Sequence, residues 1–114
     1  MKGHESMDNQ ELKLKFEEIK NKIEAGRKNN EDVTELLKVK YNLLKEGFSK
    51  IKTETQSEKY DKNPRKYSTL LSYVNSMKEI AKEIKLSLDE TASLENDVIS
   101  EMKKNGLDWL LNEQ

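Results

Sequence analysis

Leu70, Val74, Met77, Ala81, Ile84 and Leu88 follow one another at spacings of four, three, four, three and four. That series lays one narrow apolar seam along an α-helix, and a seam of this kind has to be covered by a partner. Two earlier segments supply partners. Leu12, Phe16, Ile19 and Ile23 recur at four, three and four. Val33, Leu36, Leu37, Tyr41, Leu43, Leu44, Phe48 and Ile51 make a wider stripe, because Leu36 and Leu43 broaden the Leu37, Leu44, Ile51 seam. A broad face touches two neighbours, so the second segment is expected at the centre of the assembly. The fold class that follows is all-α: an antiparallel three-helix bundle with a short fourth helix or a C-terminal extension.

Local signals divide the chain. Residues 1–7 carry no periodicity and read as a disordered leader. The bundle is expected over 8–105, with helices at about 9–25, 31–52, 68–86 and 89–104, and an apolar tail at 106–114. Asp8-x-x-Glu11 has capping-box form at the first helix start, and Gly26 is the expected stop, with Arg27 and Lys28 near the negative end of the helix dipole. Asn29-Asn30 reads as a turn and cap, with Glu31 and Asp32 in the first turn of the next helix. Gly47 inside the second helix marks a close crossing, or a tolerated cost of about 1 kcal/mol, rather than a hinge. Thr53 to Arg65 loses the pattern and reads as a linker, in which Pro64 forbids a continuous helix and Tyr60 can pack back. The third helix is expected to begin near Tyr67 or Ser68. Past Leu88 the register weakens: Ser87-x-x-Glu90 has capping-box form, and Thr91 and Glu95 stand where apolar residues belong. Val98, Ile99 and Met102 restore a face, so the segment either bends near Ser87 to Ser93, the favoured reading, or continues as a frayed rod. Asn105-Gly106 is a strong helix stop.

Composition bears on stability and on partners. At 114 residues, with 33% hydrophobic and 38% charged side chains, the chain is one domain of exposed helices with thin apolar faces and modest stability. The net charge of −1 conceals a gradient: residues 57–85 carry seven Lys/Arg against four acids, and residues 86–114 two Lys against seven acids. The simplest account is that these stretches attract each other across an antiparallel bundle or are simply solvated; the sharper one is a basic patch for anionic lipid or nucleic acid. Seven bases diluted by four acids make a weak nucleic-acid footprint, with neither a basic stripe nor the exposed aromatic interleaving that such a surface uses. The absence of cysteine removes disulfides, thiol chemistry and Cys-based zinc sites, and fits a reducing compartment. No apolar run approaches the roughly 20 residues of a membrane span, and the N-terminus lacks a signal-peptide core. The expected location is cytoplasmic, with any membrane contact indirect or through a segment outside this chain.

The residues for catalysis do not converge. His4 is the only histidine and sits beside Glu5 in the leader, so a di-iron site built from Glu-x-x-His pairs is excluded. Glu17-Glu18 and Asp89-Glu90 are adjacent pairs on different helix faces, which cannot share a proton. There is no His to activate a Ser or Thr and no Gly-rich phosphate loop. The expectation is a non-enzyme with no cofactor, no metal and no small-molecule substrate, acting on protein partners through helical or coiled-coil contacts. The tail, Leu107 to Gln114, is the segment least explained by packing. It reads either as a flap that lays the lone Trp109 on the bundle end or as a short docking motif.

The second helix and the corner after it resemble the N-terminal regulatory domain of the syntaxin 6 group of SNARE proteins. The resemblance rests on Asn63-Pro64-Arg65-Lys66-Tyr67, matching an Asn-Pro-Arg-Lys-aromatic corner, and on Lys40, Tyr41, Asn42, Leu43 and Phe48 upstream in an unbroken register. It covers residues 30–67 well, the flanking helices by type, and residues 89–114 not at all. It implies an antiparallel three-helix bundle that recruits tethering factors or folds back on a SNARE helix in endosome-to-Golgi traffic, on the cytosolic face of those membranes. The chain departs from the SNARE pattern in lacking a central Gln layer, since Gln10, Gln56 and Gln114 all lie outside the heptads of residues 70–102. Candidate partner-binding residues are Trp109, Leu110 and Leu111 in the tail and Arg65 and Lys66 in the corner. Two other readings compete: a chaperone cofactor of the BAG kind, meeting an ATPase with side chains such as Lys40, Arg65 and Lys78, and a subunit of a larger structural coiled-coil complex.

Overall fold

The computed structural model describes residues 9–54 and 63–113, which form helices α1 (Asn9–Lys28), α2 (Thr34–Glu54), α3 (Pro64–Glu83) and α4 (Asp89–Lys104) and a C-terminal 3-10 helix (Asp108–Glu113). The leader with His4, the Asp8 cap and most of the linker with Tyr60 lie outside the described residues. Consecutive helices are antiparallel. Phe16 of α1 stacks on Tyr73 of α3 at 6.5 Å between ring centres, and Arg27 pairs with Glu83 where both helices end, so α1 and α3 run alongside each other. Glu90 reaches Lys45 in the middle of α2 and Asp97 reaches Lys52 near its end, so α4 runs parallel to α2 and antiparallel to α3.

Three of the reversals close with one device. Asn30, Lys85 and Gly106 take positive φ angles of 59°, 61° and 73°. The N–H that follows each donates to the carbonyl five residues back: Glu31 to Gly26 at 2.8 Å, Leu86 to Ala81 at 2.8 Å and Leu107 to Met102 at 2.7 Å. This is the Schellman closure of a helix end, and it spends orphan carbonyls that would otherwise need water. Glycine at 106 is the expected occupant and asparagine at 30 a tolerated one. Lysine at 85 bears a cost on the order of 1 kcal/mol for its Cβ.

These closures explain where the sequence expectations miss. The first helix does not stop at Gly26 but continues through Lys28, with Asn30 as the left-handed residue. Gly26 is needed for space instead: a Cβ there would sit 2.6 Å from Val33 Cγ1. The second helix begins at Thr34 rather than 31, and Asp32 is its capping side chain, accepting from the Thr34 N–H at 3.0 Å and hydroxyl at 2.6 Å. The third helix begins at Pro64, ahead of the expected Tyr67 or Ser68. Asn63 accepts from the Arg65 N–H at 3.0 Å, and proline at the first helical position gives up only an N–H that has no helical partner. It ends at Glu83, before the expected 86, and Leu88 is not part of its seam: the turn at Lys85 carries Leu86 to the core and leaves Leu88 39% exposed. The bend favoured near Ser87 to Ser93 is a full reversal into α4. Ser87 does cap, accepting from the Asp89 N–H at 3.1 Å, but Glu90 does not reach back to complete a capping box. It crosses to α2.

The core has two parts that share the α2–α3 hairpin. Leu12, Ile19 and Ile23 of α1 meet Val33 just before α2, Leu37, Tyr41, Leu43 and Leu44 of α2 and Met77, Ile80 and Ala81 of α3. On the other side, Val98 and Met102 of α4 with Leu107 and Leu110 of the tail meet Phe48, Tyr67, Leu70, Leu71 and Val74. The broad stripe of α2 thus touches both flanks, as its width requires. Gly47 admits the close crossing, with Tyr73 Cζ 3.2 Å from where a Cβ would stand. Thr91 occupies its apolar position fully buried because its hydroxyl donates to the Leu88 carbonyl at 2.9 Å. Glu95, only partly buried, stands at its apolar position paired with Lys78 at 3.0 Å. The acidic stretch is therefore neutralised from both sides, by Lys78 of α3 and by Lys45 and Lys52 of α2.

Candidate functional site

The five side chains proposed from sequence as partner-binding lie toward one end of the fold and divide there into buried and exposed. The Asn105 amide donates to the Tyr67 hydroxyl at 3.2 Å, so the first turn of α3 and the tail lie at the same end of the molecule. Arg65 is exposed there, whereas Lys66 is buried, its Nζ 5.5 Å from the Tyr67 ring centre. In the tail, Leu107 and Leu110 stand three residues apart, the period of a 3-10 helix, and both are buried. Leu111 is half-buried against the same cluster, and Trp109 remains 50% exposed. The tail is a flap, but Leu107 and Leu110 hold it down and the tryptophan does not.

A different surface combines exposed apolar side chains with a concave shape. On the outer side of the α1–α2 pair, Leu36, Val39 and Leu43 of α2 face Lys15, Glu18, Ile19 and Lys22 of α1 across a cleft of about 180 Å³. Ile19 and Leu43 are buried and form its floor, Leu36 is half-buried, and Val39 is 47% exposed. Leu14, one turn before Glu18 on α1, is the most exposed large apolar side chain described, at 65%. Neither Leu14 nor Val39 belongs to the stripe that predicts its helix. Each is out of register, and an apolar residue standing off an otherwise regular stripe is the sequence signal that would have marked this face.

Other concavities are more fully explained by the fold. The cleft lined by Leu12, Phe16, Gly47, Lys50 and Tyr73, about 360 Å³, lies on the opposite edge of α1 where the Phe16–Tyr73 stack closes over Gly47. The one at the α1–α2 turn, about 470 Å³, is lined by groups already at work. Arg27 and Glu83 meet in two contacts of 3.1 Å, and the hydrogen bonds from Thr34 that cap α2 hold the Asp32 carboxyl below its ordinary range.

The most perturbed titratable pair is a tie between helices. The Tyr41 hydroxyl donates to Glu90 Oε1 at 2.8 Å, and Lys45 Nζ lies 3.0 Å from Glu90 Oε2. Burial first, then the bond to Glu90 and its negative charge, push the Tyr41 hydroxyl up to about 12. Lys45 and then Tyr41 hold the Glu90 carboxyl below its ordinary value. A phenol this reluctant to ionise and a carboxylate this reluctant to protonate are poorly matched to proton transfer near neutral pH. Among the described residues no three His, Cys, Asp or Glu side chains gather to hold a metal ion, and no helix is long and apolar enough to cross a membrane.

Compared with known proteins, the chain matches no family model, no curated protein and no solved structure.

Proposed function

We propose that this chain is a non-catalytic helical interaction module that receives a partner on the outer face of its α1–α2 pair, in the role of an adaptor or regulatory domain of the SNARE N-terminal kind. The observation that carries the docking role is the α1–α2 cleft: an apolar floor of Ile19 and Leu43, a partly exposed wall of Leu36 and Val39, and charged residues along its α1 bank. Apolar side chains left in water beside a concave surface are what a partner helix covers. The trafficking setting, on the cytosolic face of endosomal or Golgi membranes, rests on the sequence pattern from Lys40 to Tyr67. In the fold those corner residues cap α3 with Asn63, open it with Pro64 and anchor it with the fully buried Tyr67.

Calorimetric titration of the purified chain with helical segments of SNARE proteins and of tethering factors tests both parts. Saturable binding that a Val39→Asp variant loses supports the module and its setting together. Binding that survives Val39→Asp moves the interface off this face. No binding by any of these segments removes the trafficking setting, and acceleration of an Hsp70 ATPase by the chain would put the chaperone-cofactor role in its place.

A further inference from the structure

The molecule contains its own example of how a helix with an acidic edge docks on a pair of lysines. On α2, Lys45 and Lys52 stand seven residues apart, two helical turns, and on α4 Glu90 and Asp97 stand seven apart as well. The helices run parallel, and the pairs meet in order, Lys45 with Glu90 at 3.0 Å and Lys52 with Asp97 at 3.9 Å. Between and beside the two acids, Thr91, Leu94 and Val98 turn into the core. The docking edge of α4 therefore reads acid, core residue at the next position, core residue three further on, acid three beyond that, and a final core residue.

The α1 bank of the outer cleft carries two lysines at the same spacing, with Glu18 standing between them where α2 has Phe48. Lys15 and Lys22 are also seven apart, both are exposed and both line the cleft. Neither forms an ion pair with another described residue. Opposite them, Leu36, Val39 and Leu43 follow at spacings of three and four, the spacing that receives apolar side chains from another helix. The α2 bank adds no competing charge, since Glu35 and Lys38 neutralise each other at 3.3 Å.

Resting on the docking role proposed above, we propose that the occupant of the α1–α2 cleft is an amphipathic helix of another protein, with two acidic residues seven positions apart along the edge that faces Lys15 and Lys22. Apolar residues stand at the first, fourth and eighth positions after the leading acid, the positions that Thr91, Leu94 and Val98 hold in α4. A second copy of this chain does not supply such a helix from α4, whose Glu90 and Asp97 are already held by Lys45 and Lys52 and whose matching apolar positions are turned inward.

The test uses the full chain and two short labelled helical peptides with that apolar spacing, one with Glu at both edge positions and one with Lys, read by fluorescence anisotropy. The Glu peptide is expected to bind the wild type roughly tenfold more tightly than the Lys peptide, the size of two partly screened rim contacts. In a Lys15→Glu/Lys22→Glu variant, whose helicity is checked by circular dichroism, the preference should reverse. Equal binding of both peptides that Val39→Asp abolishes overturns the acidic edge while leaving the cleft as a docking site. Binding of the Glu peptide unchanged by both Val39→Asp and the double reversal overturns the location as well, as does binding of neither peptide. Concentration-dependent dimerisation lost in Val39→Asp would make a second copy the occupant and overturn the proposal.

Discussion

The two flanks of the α2–α3 hairpin are covered to different degrees. On the α4 side, Thr91, Val98 and Met102 are 0–2% exposed. Polar contacts join that helix to both of its neighbours: Glu90 to Tyr41 and Lys45, Glu95 to Lys78, Asn105 to Tyr67. On the α1 side, Leu12, Ile19 and Ile23 keep 5–7% of their surface in water, and the described ties include the exposed Arg27–Glu83 pair and the Phe16–Tyr73 stack. The same hairpin thus has one sealed flank and one that is merely covered. An element that docks a partner is drawn from the less sealed part of a fold, where side chains are still available to be buried. The comparison agrees with a docking face beside α1.

The largest test of this picture removes what both flanks need. Met77 is fully buried on the shared α3, and Met77→Glu should cost several kcal/mol and abolish the cooperative urea transition, because the new carboxylate has no partner. A variant as stable as the wild type would mean that the core is misassigned. Next, Met102→Ala on the sealed flank should lower stability by about 3 kcal/mol and Leu12→Ala on the other by about 2 kcal/mol, since a site at the edge of a cleft loses less when emptied. Urea midpoints in the opposite order would break the contrast.

The third test concerns pH and the tie at Tyr41. Its hydroxyl rises from 10.0 to about 12 on folding, so the neutral phenol is favoured in the folded state. That contribution is complete below about pH 10 and is lost as pH rises through 12. The Glu90 carboxyl shifts the other way; its contribution is present above the ordinary carboxylate range and fades as pH falls through the lowered value. Tyr41→Phe should cost about 1 kcal/mol at neutral pH and flatten the alkaline loss, measured by melts between neutrality and the alkaline range. The smallest effect is a gain: Lys85→Gly should add about 0.5 kcal/mol by relieving the left-handed Cβ. No change in melting would show that Leu86 and the core already hold that turn without strain.

The parts legible in the sequence are those set by apolar period. Leu70, Val74, Met77 and Ala81 are all at most 1% exposed, and the broad stripe of α2 meets both flanks. What was less legible depends on residues that do two kinds of work. Gly26 looks like a stop, yet its lack of a Cβ serves Val33. Pro64 looks like a barrier, yet at the first helical position it opens α3. Lys85 carries no glycine signal, although it makes the same turn as Gly106. Glu90 has a capping residue's spacing and a cross-helix partner's position. For the candidate site, the tail was legible as an apolar segment but not in how a three-residue period divides it, burying Leu110 and leaving Trp109 half exposed. The α1–α2 cleft was missed because Val39 falls outside the regular spacings, and a reading based on regular spacing passes over it.

The contact between Gly26 and Val33 has a mechanical consequence. With the valine seated against a residue that has no side chain, and the turn at Asn30 closed by backbone hydrogen bonds, that end of α1 is a pivot. Movement of the helix away from α2 becomes a lever stroke about it. Were the helix to lift from α2, displacement would grow with distance from Gly26, so Lys15 would travel further than Lys22 and the cleft would widen from its Lys15 end like a pair of shears.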